Sequence, residues 1–142
     1  MTRMDRIANG LLRPINPYAM LILGAFTTAW GLWVLSPWWD VFTTAPLFMR
    51  MQQLAPEWAW GLVATVAGTV TIWSIFKGRN WFLSAALVLT AWVWSVVAAM
   101  LWWGDWHNTG GVTYSFAAIY SIYAYLNIKC NYVKKHGHQA FF

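Results

Sequence analysis

Long uncharged runs alternate with short polar segments along the chain, and the runs have the length of membrane spans. The first extends from Tyr18 to Leu35 and the second from Trp58 to Phe76. The third, Trp81 to Trp103, is the longest, and a fourth extends from Val112 to Ile128. None contains Asp, Glu, Lys, Arg or His. A hydrocarbon core about 30 Å thick takes about 20 helical residues, so the pattern predicts four transmembrane helices. The fourth run is the most polar, through Tyr114, Ser115, Tyr120, Ser121, Tyr123 and Asn127. At a rise of about 1.5 Å per residue it just reaches across.

The segment Ser36–Gly61 has a different character. Trp38, Trp39, Trp58 and Trp60 bracket a short helical pattern. Thr44 suits its cap, and Pro46 suits its first turn, where the missing N–H costs nothing. Leu47, Phe48, Met51, Leu54 and Ala55 fall on one face, and Arg50, Gln53 and Glu57 on the other; Met49 breaks the pattern. An amphipathic helix flanked by Trp belongs at a membrane–water interface. The sequence thus predicts an all-α, integral membrane four-helix bundle with an interfacial helix at about 45–55, between spans one and two. Lys77–Asn80 reads as a basic turn and Gly104–Gly111 as a turn by composition. Lys129–Phe142 reads as a basic, mobile tail.

Composition narrows the class. The 142 residues are one domain's worth, so 1–142 is read as a single transmembrane domain. Only 9% of residues are charged and 60% are hydrophobic, whereas soluble domains carry about 25% charge. Arg3, Arg6 and Arg13 before the first run also suit a signal peptide. That run exceeds the apolar length of such a peptide, and no A-x-A site follows it, so it is read as an uncleaved span. Cys130, the single cysteine, excludes an internal disulfide framework.

The placement of charge sets an orientation. With four spans and the N-terminus inside, Arg3, Arg6, Arg13, Lys77, Arg79, Lys129, Lys134 and Lys135 all lie inside, and Arg50 alone lies outside. Asp40, Glu57 and Asp105 lie outside. This satisfies the positive-inside rule at every loop and puts both termini in the cytoplasm. The net charge of +5 is then a topology signal. It argues for anionic head groups as a secondary partner rather than nucleic acid.

Candidate contact residues follow from ring and small-residue placement. Trp38, Trp39, Trp58, Trp60, Trp102 and Trp103 gather toward the outer face, as an anchoring belt or as a contact surface for a membrane partner. In the second run Gly61, Ala64 and Gly68 share a face with Thr71; in the third, Ala91, Ser95 and Ala98 align with Ser84. Gly24 and Thr28 pair in the first run, as do Ala117 and Ser121 in the fourth. Such stripes let helix backbones approach, within the bundle or between copies. Tyr114, Tyr120 and Tyr123 form a polar seam for the bundle interior or a narrow wet path.

Candidate chemistry is sparse. Coupled transporters and proton pumps need ionisable groups in their spans, and a haem needs an axial ligand there. No metal-ligand set, phosphate loop, nucleophile elbow or carboxylate pair is legible. His107, and His136 with His138, read as solvated residues. No cofactor, no metal and no enzymatic activity are expected.

The run Trp30–Gly61 holds the pair Trp39-Asp40, the step Thr43-x-Ala45-Pro46 and the start Ala55-Pro-Glu-Trp-x-Trp-Gly61. In these features it resembles small, Trp-rich, multi-span membrane proteins of tailed bacteriophages. The resemblance covers about a quarter of the chain. It implies a virus-encoded protein of a bacterial inner membrane and carries no activity with it. The expected function is therefore association: a holin-like protein that self-associates and permeabilises the membrane. The alternatives are an accessory subunit of a membrane complex, including a role in superinfection exclusion, and a small-molecule carrier using the Tyr seam. The expected partners are the lipid bilayer and either further copies or another membrane protein.

Overall fold

The computed structural model describes residues 16–37, 48–78, 80–104 and 109–136, with residues 80 and 131–136 as backbone only. All its regular elements among these are helices: α1 Pro17–Val34, α2 Met49–Gln52, α3 Glu57–Lys77, α4 Asn80–Gly104 and α5 Thr109–His136. Helices α1, α3 and α4 begin and end within a residue of the first three apolar runs. Their boundaries have local causes. The Asn16 side chain accepts the Tyr18 N–H at 3.0 Å, and Pro17 opens α1. Pro56 caps α3 with Glu57 in its first turn, where a carboxylate suits the helix dipole. Gly78 ends α3 at φ 62°, a left-handed cap that favours glycine.

Two corrections concern the polar segments. The expected interfacial helix at about 45–55 is a single turn, Met49–Gln52. Its apolar face packs into the bundle: Met51 is 0% exposed and Phe48 is buried beside Trp30 and Trp60. The Trp60 indole N–H donates to the Met51 carbonyl at 3.2 Å, which ties this turn to the start of α3. Leu54 and Met49 point outward instead. Thr44, Pro46 and Leu47 lie outside the described residues. The second correction is at the other end of the chain. The tail predicted from Lys129 onward begins as helix, because α5 continues to His136.

Helices α1 and α3 pack tightly together, α4 packs on α5, and α3 against α4 joins the pairs. The α1–α3 seam is built on glycine. A Cβ on Gly31 would stand 2.5 Å from the Thr65 backbone N and 2.7 Å from the Gly61 carbonyl. One on Gly68 would stand 2.5 Å from the Thr28 backbone N and 2.6 Å from the Gly24 carbonyl. Two core clusters fill the remainder. One, around Trp30, Trp60 and Trp94, lies toward the α2 end; the other, around Met20, Leu23, Leu83 and Leu87, lies toward the Gly78 turn.

By length and composition, α1, α3 and residues Trp81–Gly104 of α4 can each cross a membrane. The predicted fourth span is not among these three, since Tyr, Ser, Asn and Lys make α5 more polar. Its polar residues are divided: Tyr114, Ser115, Tyr120, Tyr123 and Tyr125 are half-buried and Thr113 is exposed. Ser121 and Asn127 are buried, and Val112, Phe116, Ile119, Ile122 and Leu126 form its exposed face.

Replacing a helical Gly by Ala ordinarily stabilises, by about 1 kcal/mol. At Gly31 and Gly68 the sign is expected to invert. Gly31→Ala and Gly68→Ala should each cost about 1–3 kcal/mol through overpacking. Gly104→Ala, which meets nothing within 4 Å, should be neutral or stabilising. Reversible unfolding in mixed micelles measures all three.

Candidate functional site

Successive residues of a helix point about 100° apart, so Trp92 and Trp94 of α4 face in nearly opposite directions. Trp94 faces inward and is 0% exposed. Its indole N–H donates to the Thr27 hydroxyl at 3.1 Å, and that hydroxyl donates to the Leu23 carbonyl at 2.8 Å. Phe26 stacks on it at 5.1 Å, Trp30 meets it edge-on at 5.3 Å, and Tyr114 lies parallel to it at 5.0 Å. One ring thereby joins α1, α4 and α5. This is a structural hub with no free surface.

Trp92 faces outward, 51% exposed. Eleven residues make about three helical turns, so Trp81, Trp92 and Trp103 lie along one face of α4. Trp81 is 74% exposed and Trp103 is 75% exposed, at opposite ends of the helix. Trp92 sits midway, about 16 Å along the axis from each. It stacks on Trp60 of α3, centroids 5.8 Å apart and planes 14° from parallel. Two grooves meet at Trp92. Toward the α2 end an apolar groove of about 300 Å³ is lined by Leu54, Ala59, Trp60, Val63 and Val96. Toward the Gly78 turn a groove of about 540 Å³ lies between α4 and α5, lined by Trp81, Ser84, Val88, Tyr125 and Lys129. This ridge with its two grooves is the candidate site. It offers aromatic faces, methyl groups, hydroxyls and one ammonium group.

The predicted contact residues are distributed between core and surface. Trp58 and Trp103 are exposed at the α2 end, whereas Trp60 is buried. Trp102 is partly committed to the fold: its indole N–H donates to the Ser115 hydroxyl at 3.1 Å, and its ring lies on Gly111. Trp38 and Trp39 lie outside the described residues. Gly61 and Gly68 face α1, and Ala64 belongs to the core cluster around Trp94. Ala91 and Ala98 are buried, but Ser95 is exposed, so the predicted α4 stripe does not form one seam. The Tyr seam divides as well. Tyr114 packs on Trp94 in one cluster and Tyr120 belongs to the other, with Tyr123 at 6.4 Å from it.

Sequence reasoning missed Gly31, Thr65 and the outward position of Trp92. The spacing Gly-x3-Thr-x2-Gly, which occurs both at Gly24–Gly31 and at Gly61–Gly68, is the signal for the first two. Among the described residues no three His, Cys, Asp or Glu side chains converge on a point that could hold a metal. No family model, curated protein or solved structure matches this chain.

The two neighbouring Trp residues should separate in a stability measurement. Trp94→Ala removes a fully buried ring and should cost about 3–5 kcal/mol. Trp92→Ala removes a half-exposed ring and its stack on Trp60 and should cost less, about 1–3 kcal/mol. Denaturant unfolding in micelles, followed by far-UV circular dichroism, makes the comparison.

Proposed function

We propose that this chain is a four-span membrane protein that acts by association within the bilayer rather than by catalysis. The observation that carries this reading is the apolar exterior of the bundle. Glycine, alanine, Thr27, Thr71, Ser121 and Asn127 are inside, and large apolar side chains cover the exposed faces of α1, α3, α4 and α5. Lipid, not water, is the solvent such a surface fits. The apolar outward face of α5, from Val112 to Leu126, supports it as the fourth span. Exposed rings also mark both ends: Tyr18, Phe76 and Trp81 at the turn end, Trp33, Trp58 and Trp103 at the α2 end. Along α4, Trp81 and Trp103 are about 33 Å apart, close to the ~30 Å hydrocarbon thickness. The positive-inside rule places the Gly78 turn and Lys129 in the cytoplasm and Arg50 and Glu57 outside.

Association is supported by Trp92. Indole rings favour the head-group zone, where the N–H finds polar partners. Trp92 stands midway between the two belts, so anchoring gives no reason for it. A half-exposed Trp beside an apolar groove is the composition of a contact hot spot. We assign the contact to Trp92 and the groove at Leu54, Val63 and Val96, with a second copy as the occupant. In the holin-like form of this reading, the path for ions runs between copies, because Trp94, Leu87 and Val97 fill the centre of one bundle. The resemblance to phage membrane proteins supports a bacterial inner membrane as its place. The second reading, an accessory subunit, uses the same surface with a foreign partner.

The mass of the complex in native nanodiscs, with every co-purifying chain identified, tests the proposal. A homo-oligomer is expected. Trp92→Leu should weaken its self-association by about 30-fold or more, the loss of one hot spot. Induced expression should collapse the membrane potential in the wild type and not in the variant. A stoichiometric foreign chain would favour the accessory subunit. A monomer with no partner would overturn association altogether.

A further inference from the structure

We propose that the groove between α4 and α5 at the Gly78 turn holds one anionic phospholipid. Its acyl chain lies along α4 from Trp81 to Trp92, and its head group meets Lys129. This rests on the membrane-spanning reading above, with the turn end in the cytoplasmic leaflet.

Three features of the groove point to such an occupant. The first is its length. Trp81 and Trp92 close the two ends about 16 Å apart along the helix, half the ~30 Å hydrocarbon thickness and so the depth of one leaflet. The second is its lining, which between the rings of Trp81, Trp92 and Tyr125 holds the smaller side chains of Ser84, Ala85, Val88 and Leu89. A flexible chain fills such a groove along its length. The third is its single polar end. Lys129 is exposed, and its ammonium group stands 5.7 Å from the centre of the Tyr125 ring. That contact holds a cation against the α5 side of the groove. Glu57, the one carboxylate among the described residues, begins α3 at the opposite end of the bundle. An amphiphile with one negative head and an apolar body complements this arrangement. A second copy of the chain does not. Two parallel copies meeting here in a two-fold dimer would place their Lys129 cations at the same depth, side by side.

The test uses the full chain in phosphatidylcholine vesicles doped with lipid brominated on its acyl chains, which quenches nearby Trp fluorescence. Brominated phosphatidylglycerol is compared with brominated phosphatidylcholine at equal, low mole fraction. Trp81 and Trp92 lie at the two ends of the groove, and the quenching lost in a Trp81→Phe, Trp92→Phe variant reports its occupancy, because other exposed Trp also meet lipid. Phosphatidylglycerol is expected to be enriched about fivefold at the site, the preference due to one lysine near an anionic head group. Lys129→Gln, an exposed change that leaves the bundle intact, should abolish the preference. Ala85→Phe should abolish it too, by filling the groove while leaving the cation in place. Equal quenching by the two lipids in the wild type overturns the proposal, as does a preference that survives Lys129→Gln. A disulfide-linked dimer formed by Ser84→Cys in a Cys130→Ser background would put a second copy in the groove and overturn it as well. Carbonate extraction of the same vesicles separates the two readings. Release of the chain defeats the membrane-spanning reading itself. Retention with no lipid preference defeats only the groove proposal.

Discussion

Two helices can touch backbone to backbone only where no Cβ stands between them, and the α1–α3 seam depends on that constraint. Gly24, Thr28 and Gly31 on α1 face Gly68, Thr65 and Gly61 on antiparallel α3. The spacing is the same on both helices, so each threonine falls against a glycine of its partner. The hydroxyls of these threonines are used locally. Thr28 donates to the Gly24 carbonyl at 2.9 Å and Thr65 to the Gly61 carbonyl at 2.7 Å. Each polar group is thus satisfied on its own helix and asks nothing of the partner. On the membrane-spanning reading, hydrophobic burial supplies no drive between these helices, so close packing of this kind is the main attraction left.

A thin seam on one side requires a thick one on the other. The bulk excluded from the α1–α3 contact is carried by Trp30, Trp60 and Trp94, where α1 and α3 meet α4. Trp94 spans that wider gap, and its N–H reaches Thr27 across it. Met51 and Phe48 close the same cluster from above. The short turn between α1 and α3 is therefore a lid on the aromatic core. Its amphipathic pattern is genuine, but the apolar face meets protein.

That distinction explains what the sequence does and does not reveal. Helix limits are legible because each run ends at a strong local signal: Asn16-Pro17, Pro56-Glu57, Gly78. The identity of the surface meeting an apolar face is not legible, since lipid and a Trp side chain are equally apolar. Phe48 and Met51 suit an interfacial helix and a core lid alike. The same ambiguity applies to Trp92 and Trp94. Both are mid-run rings, and the partners that Trp94 meets, Thr27, Trp30 and Tyr114, lie on other helices. Ser95 fails as a packing residue for a related reason. Small residues permit approach without specifying a partner, and α4 receives α3 and α5 on other faces. The paired Gly-x3-Thr-x2-Gly spacing is stronger, because two matching copies on consecutive helices specify each other.

Helix α5 shows why average hydropathy understates some helices. An average weights every residue equally, whereas the solvent meets only the outward face. The outward face of α5 is Val112, Phe116, Ile119, Ile122 and Leu126, while Ser121 donates to the Ala117 carbonyl at 2.7 Å and Asn127 is buried. Its polar cost falls on a surface that α4 covers. Alone in a bilayer, such a helix would expose Tyr120, Ser121 and Asn127 to hydrocarbon, at a cost of several kcal/mol. Paired with α4, it buries Ser121 and Asn127 and leaves Tyr120 half-buried. On the membrane-spanning reading, the stability of α5 is therefore a property of the α4–α5 pair. Trp102 on Gly111 and Ser115 fastens that pair at its first contact, next to the connection between the two helices.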